Sequence, residues 1–133
     1  MYRYIDMLKK MNYMAINNGD IPVSCIILKD NLIISKAYNK KYKNNNPLDH
    51  AEIIAIKNAC KKLKTTNLMD CTMLVTLKPC DMCKELIKEV RLKNVYYILD
   101  KNKKVNDTTN YIKINESEDY FAKELVSFFR DKR

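Results

Sequence analysis

The chain has 133 residues, 47% of them apolar, which suits one domain spanning residues 1–133 around a single core, with no second domain needed. Its 25 basic against 16 acidic side chains give a formal charge of +9, a balance that attracts polyanions by long-range steering. Five cysteines, an odd number with no secretory leader ahead of them, exclude a disulfide framework, and the charge-broken stretch from Met1 to Lys10 excludes a signal peptide or membrane span, so a cytoplasmic protein is expected.

Residues 2–17 carry Ile5, Leu8, Met11 and Ala15 at three-to-four spacing, which predicts a helix with one face on a core. Gly19, the single glycine, follows Asn17 and Asn18 where a left-handed residue ends a helix. Residues 21–28 are apolar almost throughout, as in a strand covered on both faces, with Pro22 tolerated near its start. Lys29, Asp30 and Asn31 turn it into a second strand over 32–38, making a hairpin. Residues 39–46 are polar and unpatterned, a surface loop. Asn46 can then cap a helix over 48–64, with Pro47 and Asp49 in its first turn and Ile53, Ile56, Cys60 and Leu63 facing inward.

Residues 71–77 predict a buried strand, Pro79 opens a helix that runs to Val90, and 94–99 predicts a strand parallel to the first through that crossover. A basic loop follows, then a short strand over 111–114. A helix over 117–130 closes the chain with Phe121, Leu125 and Phe128 inward. Cys25, Cys60 and Cys71 sit in apolar runs as small core residues. Cys80 and Cys83 do not.

Two short segments carry the chemistry, His50-Ala51-Glu52 and Pro79-Cys80-Asp81-Met82-Cys83. An imidazole and two thiols three apart at the positive end of a helix are three good zinc ligands, and the thiols there favour the thiolate form. Glu52 lies two residues from His50 and is not spaced as a fourth ligand. Three protein ligands leave one coordination position open, as catalysis requires, and a water there can fall in pKa from about 15.7 to about 7. Glu52 is then the carboxylate placed to move protons, which suits attack on an amidine-like ring carbon and departure of ammonia. Peptidase zinc sites use histidine and carboxylate ligands instead. A dithiol redox pair would not need the His-x-Glu segment, and a closed structural site would need a fourth ligand, whereas the chain has no second histidine. A non-catalytic, zinc-stabilised binding protein is the alternative from a different functional class.

At these residues the chain resembles the zinc-dependent cytidine/deoxycytidylate deaminase superfamily. It is most similar to the bacterial tRNA-specific adenosine deaminases, through Gly19-Asp20-Ile21-Pro22-Val23, Ala37-Tyr38-Asn39, Val75-Thr76-Leu77-Lys78-Pro79-Cys80 and 124–130 near the end. The resemblance implies a three-layer α/β/α fold around a central five-stranded mixed sheet, and a homodimer. It implies one zinc per subunit on His50, Cys80 and Cys83, with Glu52 moving protons, Asn39 hydrogen-bonding the target base, and Val23 and Leu77 lining its pocket. The reaction implied is adenosine to inosine at the wobble position of a tRNA anticodon loop. A deaminase of a free base or nucleoside, such as cytosine, guanine or cytidine, shares the same zinc chemistry and is the alternative.

Some positions depart from that pattern. Lys78 stands where the family has glutamate, Asp49 precedes the histidine where a small residue is common, and Asp100-Lys101-Asn102-Lys103-Lys104 lacks the family's glycines and matches its aspartate only with a one-residue shift. Lys101, Lys103, Lys104, Arg130, Lys132 and Arg133 would meet phosphates if RNA is the substrate. Coding bias toward Lys, Asn, Ile and Tyr accounts for a basic surface equally well. Tyr2, Tyr4 and Tyr13 could stack on bases, although packing is the commoner use of such residues.

Overall fold

The computed structural model describes residues 2–100 and 109–131, with only the backbone of Tyr2. Lys101, Lys103, Lys104, Lys132, Arg133 and the Tyr2 side chain therefore lie outside the described residues. Along the chain run α1 (Tyr2–Asn17), β1 (Ser24–Lys29), β2 (Leu32–Tyr38), α2 (Ala51–Leu63), β3 (Cys71–Leu77), α3 (Asp81–Glu89), β4 (Asn94–Leu99), β5 (Asn110–Lys113) and α4 (Glu118–Asp131). The strands form one mixed sheet in the order β2-β1-β3-β4-β5. β1 is antiparallel to β2 and β3; β4 is parallel to β3, as the helical crossover through α3 requires, and β5 is parallel to β4.

The β1–β2 turn is tight because Asp30 and Asn31 both adopt positive φ, 51° and 64°, the two-residue geometry that matches the twist of its flanking strands. Gly19, at φ 78°, ends α1 in the left-handed position its lack of a side chain permits.

Period-2 alternation divides the strands between two cores. Cys25, Ile27, Met73, Val75, Val95 and Tyr97 face α2 and α3, where Ala51, Ala55, Ile56, Ala59 and Ile87 cover them. Ile26, Leu74 and Ile98 face the other way, onto Ile5, Leu8 and Met11 of α1 and Phe121 of α4. The result is the expected three layers around a five-stranded mixed sheet.

Three boundaries differ from expectation. β1 begins at Ser24, not residue 21, because Pro22 has no N–H to give a ladder and Val23 turns its own N–H back to the Ile21 carbonyl at 2.9 Å. α2 begins at Ala51, with His50 as its cap residue. Asn46 does not cap it: its Oδ1 accepts from the Leu48 N–H at 2.9 Å, closing a local turn before the helix starts. α3 begins at Asp81 with Cys80 at the cap position, since the Lys78 N–H is committed to the Leu99 carbonyl at 2.8 Å and holds the chain extended up to Pro79.

The inner face of α2 is also redistributed. Ile56 is buried as expected, but Ile53, Cys60 and Leu63 are only half-buried, and Ala51, Ala55 and Ala59 occupy the innermost positions. Cys25 and Cys71 are core residues, whereas Cys60 is at the margin. On α4, Phe121 and Phe128 are buried and Leu125 is partly exposed.

Candidate metal centre and its pocket

His50 and Cys80 occupy equivalent places, each the extended residue just before a helix, with φ and ψ of −71° and 151° for His50 and −71° and 171° for Cys80. Neither side chain is used to cap its own helix. Both are free to meet across the strand ends, and Cys83, in the first turn of α3, completes the group. The His50 Nδ1 lies 3.9 Å from Cys80 Sγ and 3.6 Å from Cys83 Sγ, and the three donor atoms all fall within 4.8 Å of one another. This is the one such group of three among the described residues.

The donor set and spacing fit zinc. Bonds of about 2.3 Å to sulfur and 2.0 Å to nitrogen at a tetrahedral centre set nitrogen-to-sulfur edges near 3.5 Å. The observed separations need only small side-chain adjustment to reach that value. The two thiols are coupled: the Cys83 thiol donating to Cys80, with the backbone N–H groups of Cys83 and Met82 at the start of α3, brings the Cys80 thiol down to about 5 against the effect of burial. The same hydrogen bond, followed by burial and the nearby Glu52 charge, pushes the Cys83 thiol up. The two sulfurs are thus hydrogen-bonded to one another, and both must lose their protons for a metal to bind.

Glu52 stands at the second residue of α2 with 4% of its surface exposed, and its carboxyl lies against Cys83. Because His50 precedes the helix and Glu52 is inside it, the amino end of α2 presents both to one place. That resolves the roughly 200° that two residues span around a continuous helix.

Glu52, His50 and Cys80 share one cavity of about 170 Å³ with Asn39, Val23, Leu77, Asp20, Ile21, Lys41 and Tyr42. All seven residues singled out in the sequence are thus brought together, Cys83 from behind the cavity wall. Val23, just before β1, and Leu77, at the end of β3, supply apolar wall. The Asn39 Oδ1 accepts the Ala51 N–H at 2.8 Å, so this side chain fixes the first turn of α2 and its amide NH₂ is the group left to address a ligand.

Asp20, Ile21, Lys41 and Tyr42 were not anticipated. Asp20 is fully buried and accepts from the Tyr42 and Lys43 N–H groups at 2.7 and 3.2 Å, tying the 39–46 loop to the end of α1. The signals for Asp20 were an acid opening an otherwise apolar run and its place in the Gly19-Asp20-Ile21-Pro22-Val23 segment, neither of which says what it bonds. Of the aromatics considered for stacking, Tyr4 packs against the α1 core and donates to the Asn31 carbonyl at 3.2 Å, while Tyr13 is exposed, and neither lines the cavity. Arg130 is paired with Asp131 at 3.6 Å. Among the described residues no helix is long and apolar enough to cross a membrane.

A family profile for the cytidine and deoxycytidylate deaminase zinc-binding region matches residues 2–99. The chain is 42% identical over 90 residues to a tRNA-specific adenosine deaminase of Rickettsia bellii, an alignment covering 66% of this chain and 62% of that protein. It is 34% identical over 143 residues to a tRNA-specific adenosine deaminase of Buchnera aphidicola subsp. Schizaphis graminum, covering 93% and 90%. In three dimensions it superposes on a structure from work on A-to-I editing by tRNA:A34 deaminases, with a TM-score of 0.85 at 22% identity over 94% of this chain and all of that one. That likeness speaks to the fold.

Proposed function

Because the chain belongs to the cytidine and deoxycytidylate deaminase zinc-binding family, we propose that it is a hydrolytic deaminase converting adenosine to inosine at the wobble position of a tRNA. The observation that carries the reading is the convergence of His50, Cys80 and Cys83 with the buried Glu52 on one small cavity. The tRNA assignment leans on the relatives' activity.

His50, Cys80 and Cys83 would hold the zinc ion, which would supply Lewis acidity that favours ionisation of water near neutral pH. Glu52 takes a first proton from the water whose oxygen bonds to carbon 6 of the base and passes it to ring nitrogen 1, then takes the second from the new hydroxyl and passes it to the exocyclic nitrogen, so that the carbon–nitrogen bond breaks and ammonia leaves. Adenosine and water thus become inosine and ammonia. Zinc base deaminases use a glutamate that is not a metal ligand in this way, and the role passes to Glu52 from the family. Asn39, Val23 and Leu77 line the cavity, and in this reading the Asn39 amide would address the base edge while Val23 and Leu77 would pack on its faces.

A cavity of about 170 Å³ is well below the about 300 to 1,000 Å³ of sites for larger ligands. It suits one ring system with the rest of the strand outside, as when a single base is splayed from a loop. The same reading takes the chain as one domain working as a cytoplasmic homodimer, which sedimentation of the purified protein tests.

The deciding experiment offers zinc-loaded protein a tRNA anticodon stem-loop, cytosine, guanine and cytidine side by side, with inosine and ammonia as readouts. Conversion of the stem-loop, weakening steeply with added salt, supports the proposal. Turnover of a free base alone, indifferent to salt, replaces it with the small-molecule alternative.

A further inference from the structure

Beside the pocket, two lysines gather around tyrosine rings. Lys78 lies between Leu77 of the pocket wall and the Pro79-Cys80 pair, its backbone fixed by the bond to Leu99. Its Nζ stands 5.1 Å from the centre of the Tyr97 ring and 5.8 Å from that of Tyr111. From α3, the Lys84 Nζ reaches the same Tyr111 ring at 5.4 Å. Pairing of Val95 with Tyr111, and of Tyr97 with Lys113, aligns both tyrosines toward α3.

The nearby Lys113 is neutralised by Glu118 at 3.0 Å. Lys78 and Lys84 have no ion-pair partner among the described residues. An aromatic face holds an ammonium group in position through its quadrupole but carries no net charge. The two ammonium groups therefore share one ring, with no carboxylate paired to either among the described residues, which favours an anion within reach of both, and a lysine serves phosphate well as a point charge. The cavity admits one ring system, so the phosphates flanking a base inserted past Leu77 and Cys80 would remain outside, at the level of Lys78.

We propose that Lys78 and Lys84, held around Tyr111, form a phosphate-binding site for the RNA strand whose target base enters the pocket. This rests on the reading of RNA as substrate. The site contributes to strand binding and does not touch the reacting atoms.

The test compares zinc-loaded wild type with Lys78→Gln, Lys84→Gln, the double variant and Lys78→Arg, on an anticodon stem-loop across a salt series and on adenosine 5′-monophosphate. Each lysine removed raises KM for the stem-loop about two- to fivefold, the range of an exposed charge pair, with the effect on KM and not on kcat. Each also flattens the plot of log affinity against log salt by about 0.7, one single-strand phosphate contact. Lys78→Arg retains the wild-type slope. If wild type converts the stem-loop and the glutamine variants keep its KM and slope, the phosphate site is wrong while the RNA reading stands. The site is equally overturned if Lys78→Arg loses the slope as Lys78→Gln does, which would mark a packing role, or if only the mononucleotide is affected. A wild type that neither binds nor converts the stem-loop overturns the substrate reading itself.

Discussion

The two faces of the sheet are packed by different means. On the side of α1 and α4 the interior is made of large groups, Ile5, Leu8, Met11 and Phe121, each worth about 1.5–3 kcal/mol on burial. On the other side α2 meets the sheet through Ala51, Ala55 and Ala59, all fully buried, with Ile56 as its largest innermost side chain. Alanine buries little area but lets a helix backbone lie close to the strands. The close-packed face is also the one that carries His50, Glu52, Cys80 and Cys83 at its helix ends. One face supplies burial and the other fixes position, so changes on the two should separate stability from chemistry.

The sharpest separation comes from Glu52. Replacing it with Gln keeps its shape and removes the proton carrier, so kcat for base deamination should fall about 10²- to 10⁴-fold, while zinc content by metal analysis stays near one per chain. His50→Ala should instead lose the metal together with the activity. A Glu52→Gln protein of undiminished rate would remove the carboxylate from the chemistry, leaving only the three ligands.

Next come paired changes in the two cores. Leu8→Ala leaves a cavity behind a side chain that is 1% exposed, costing about 2–5 kcal/mol of unfolding free energy. The molecules that remain folded should bind zinc with wild-type affinity. Ala55→Val overfills a fully buried position at a cost of about 1–3 kcal/mol. It should also weaken zinc binding, because lifting α2 off the sheet displaces His50 from the two sulfurs. Chemical denaturation and chelator competition measure the two quantities separately. Equal loss of zinc affinity in both variants would mean that the two faces are not independent.

The same contrast governs what could be read from the chain alone. Alternation in the strands and the Asp30-Asn31 turn were plain, because period-2 burial and positive-φ turn residues leave strong local marks. On α2 the expected inward groups Cys60 and Leu63 do pack against the core but only at its margin, and Ile53 is likewise half-buried, since spacing arguments weigh large apolar groups and a close helix-to-sheet contact selects small ones for the innermost positions. The start of α2 was misplaced because Asn46 and Pro47 carry the chemistry of a helix start but use it in a turn. The grouping of His50, Cys80 and Cys83 was legible because the chemistry of sulfur and imidazole restricts the partners. Asp20 was not, because its work depends on Tyr42 and Lys43, more than twenty positions along the chain, which no local pattern connects.

The smallest expected effect lies at the α1–α4 layer, where the Asn12 Nδ2 donates to the Glu124 Oε1 at 2.8 Å. Burial raises the Glu124 carboxyl above its ordinary 4.5, with the Asn12 hydrogen bond opposing the shift. A carboxyl raised in the folded state contributes most below its unfolded value, and that contribution is lost as pH rises through the folded value. At neutral pH the charged form is therefore a mild cost to this face, one that the polar, uncharged Gln avoids while keeping an oxygen for Asn12. Glu124→Gln should raise the urea midpoint at pH 7 and change it less at pH 4. With Glu124 far from the ligand cluster in sequence and absent from the cavity wall, zinc affinity should not move. A midpoint that rises equally at both pH values would show that the gain comes from packing and not from the charge.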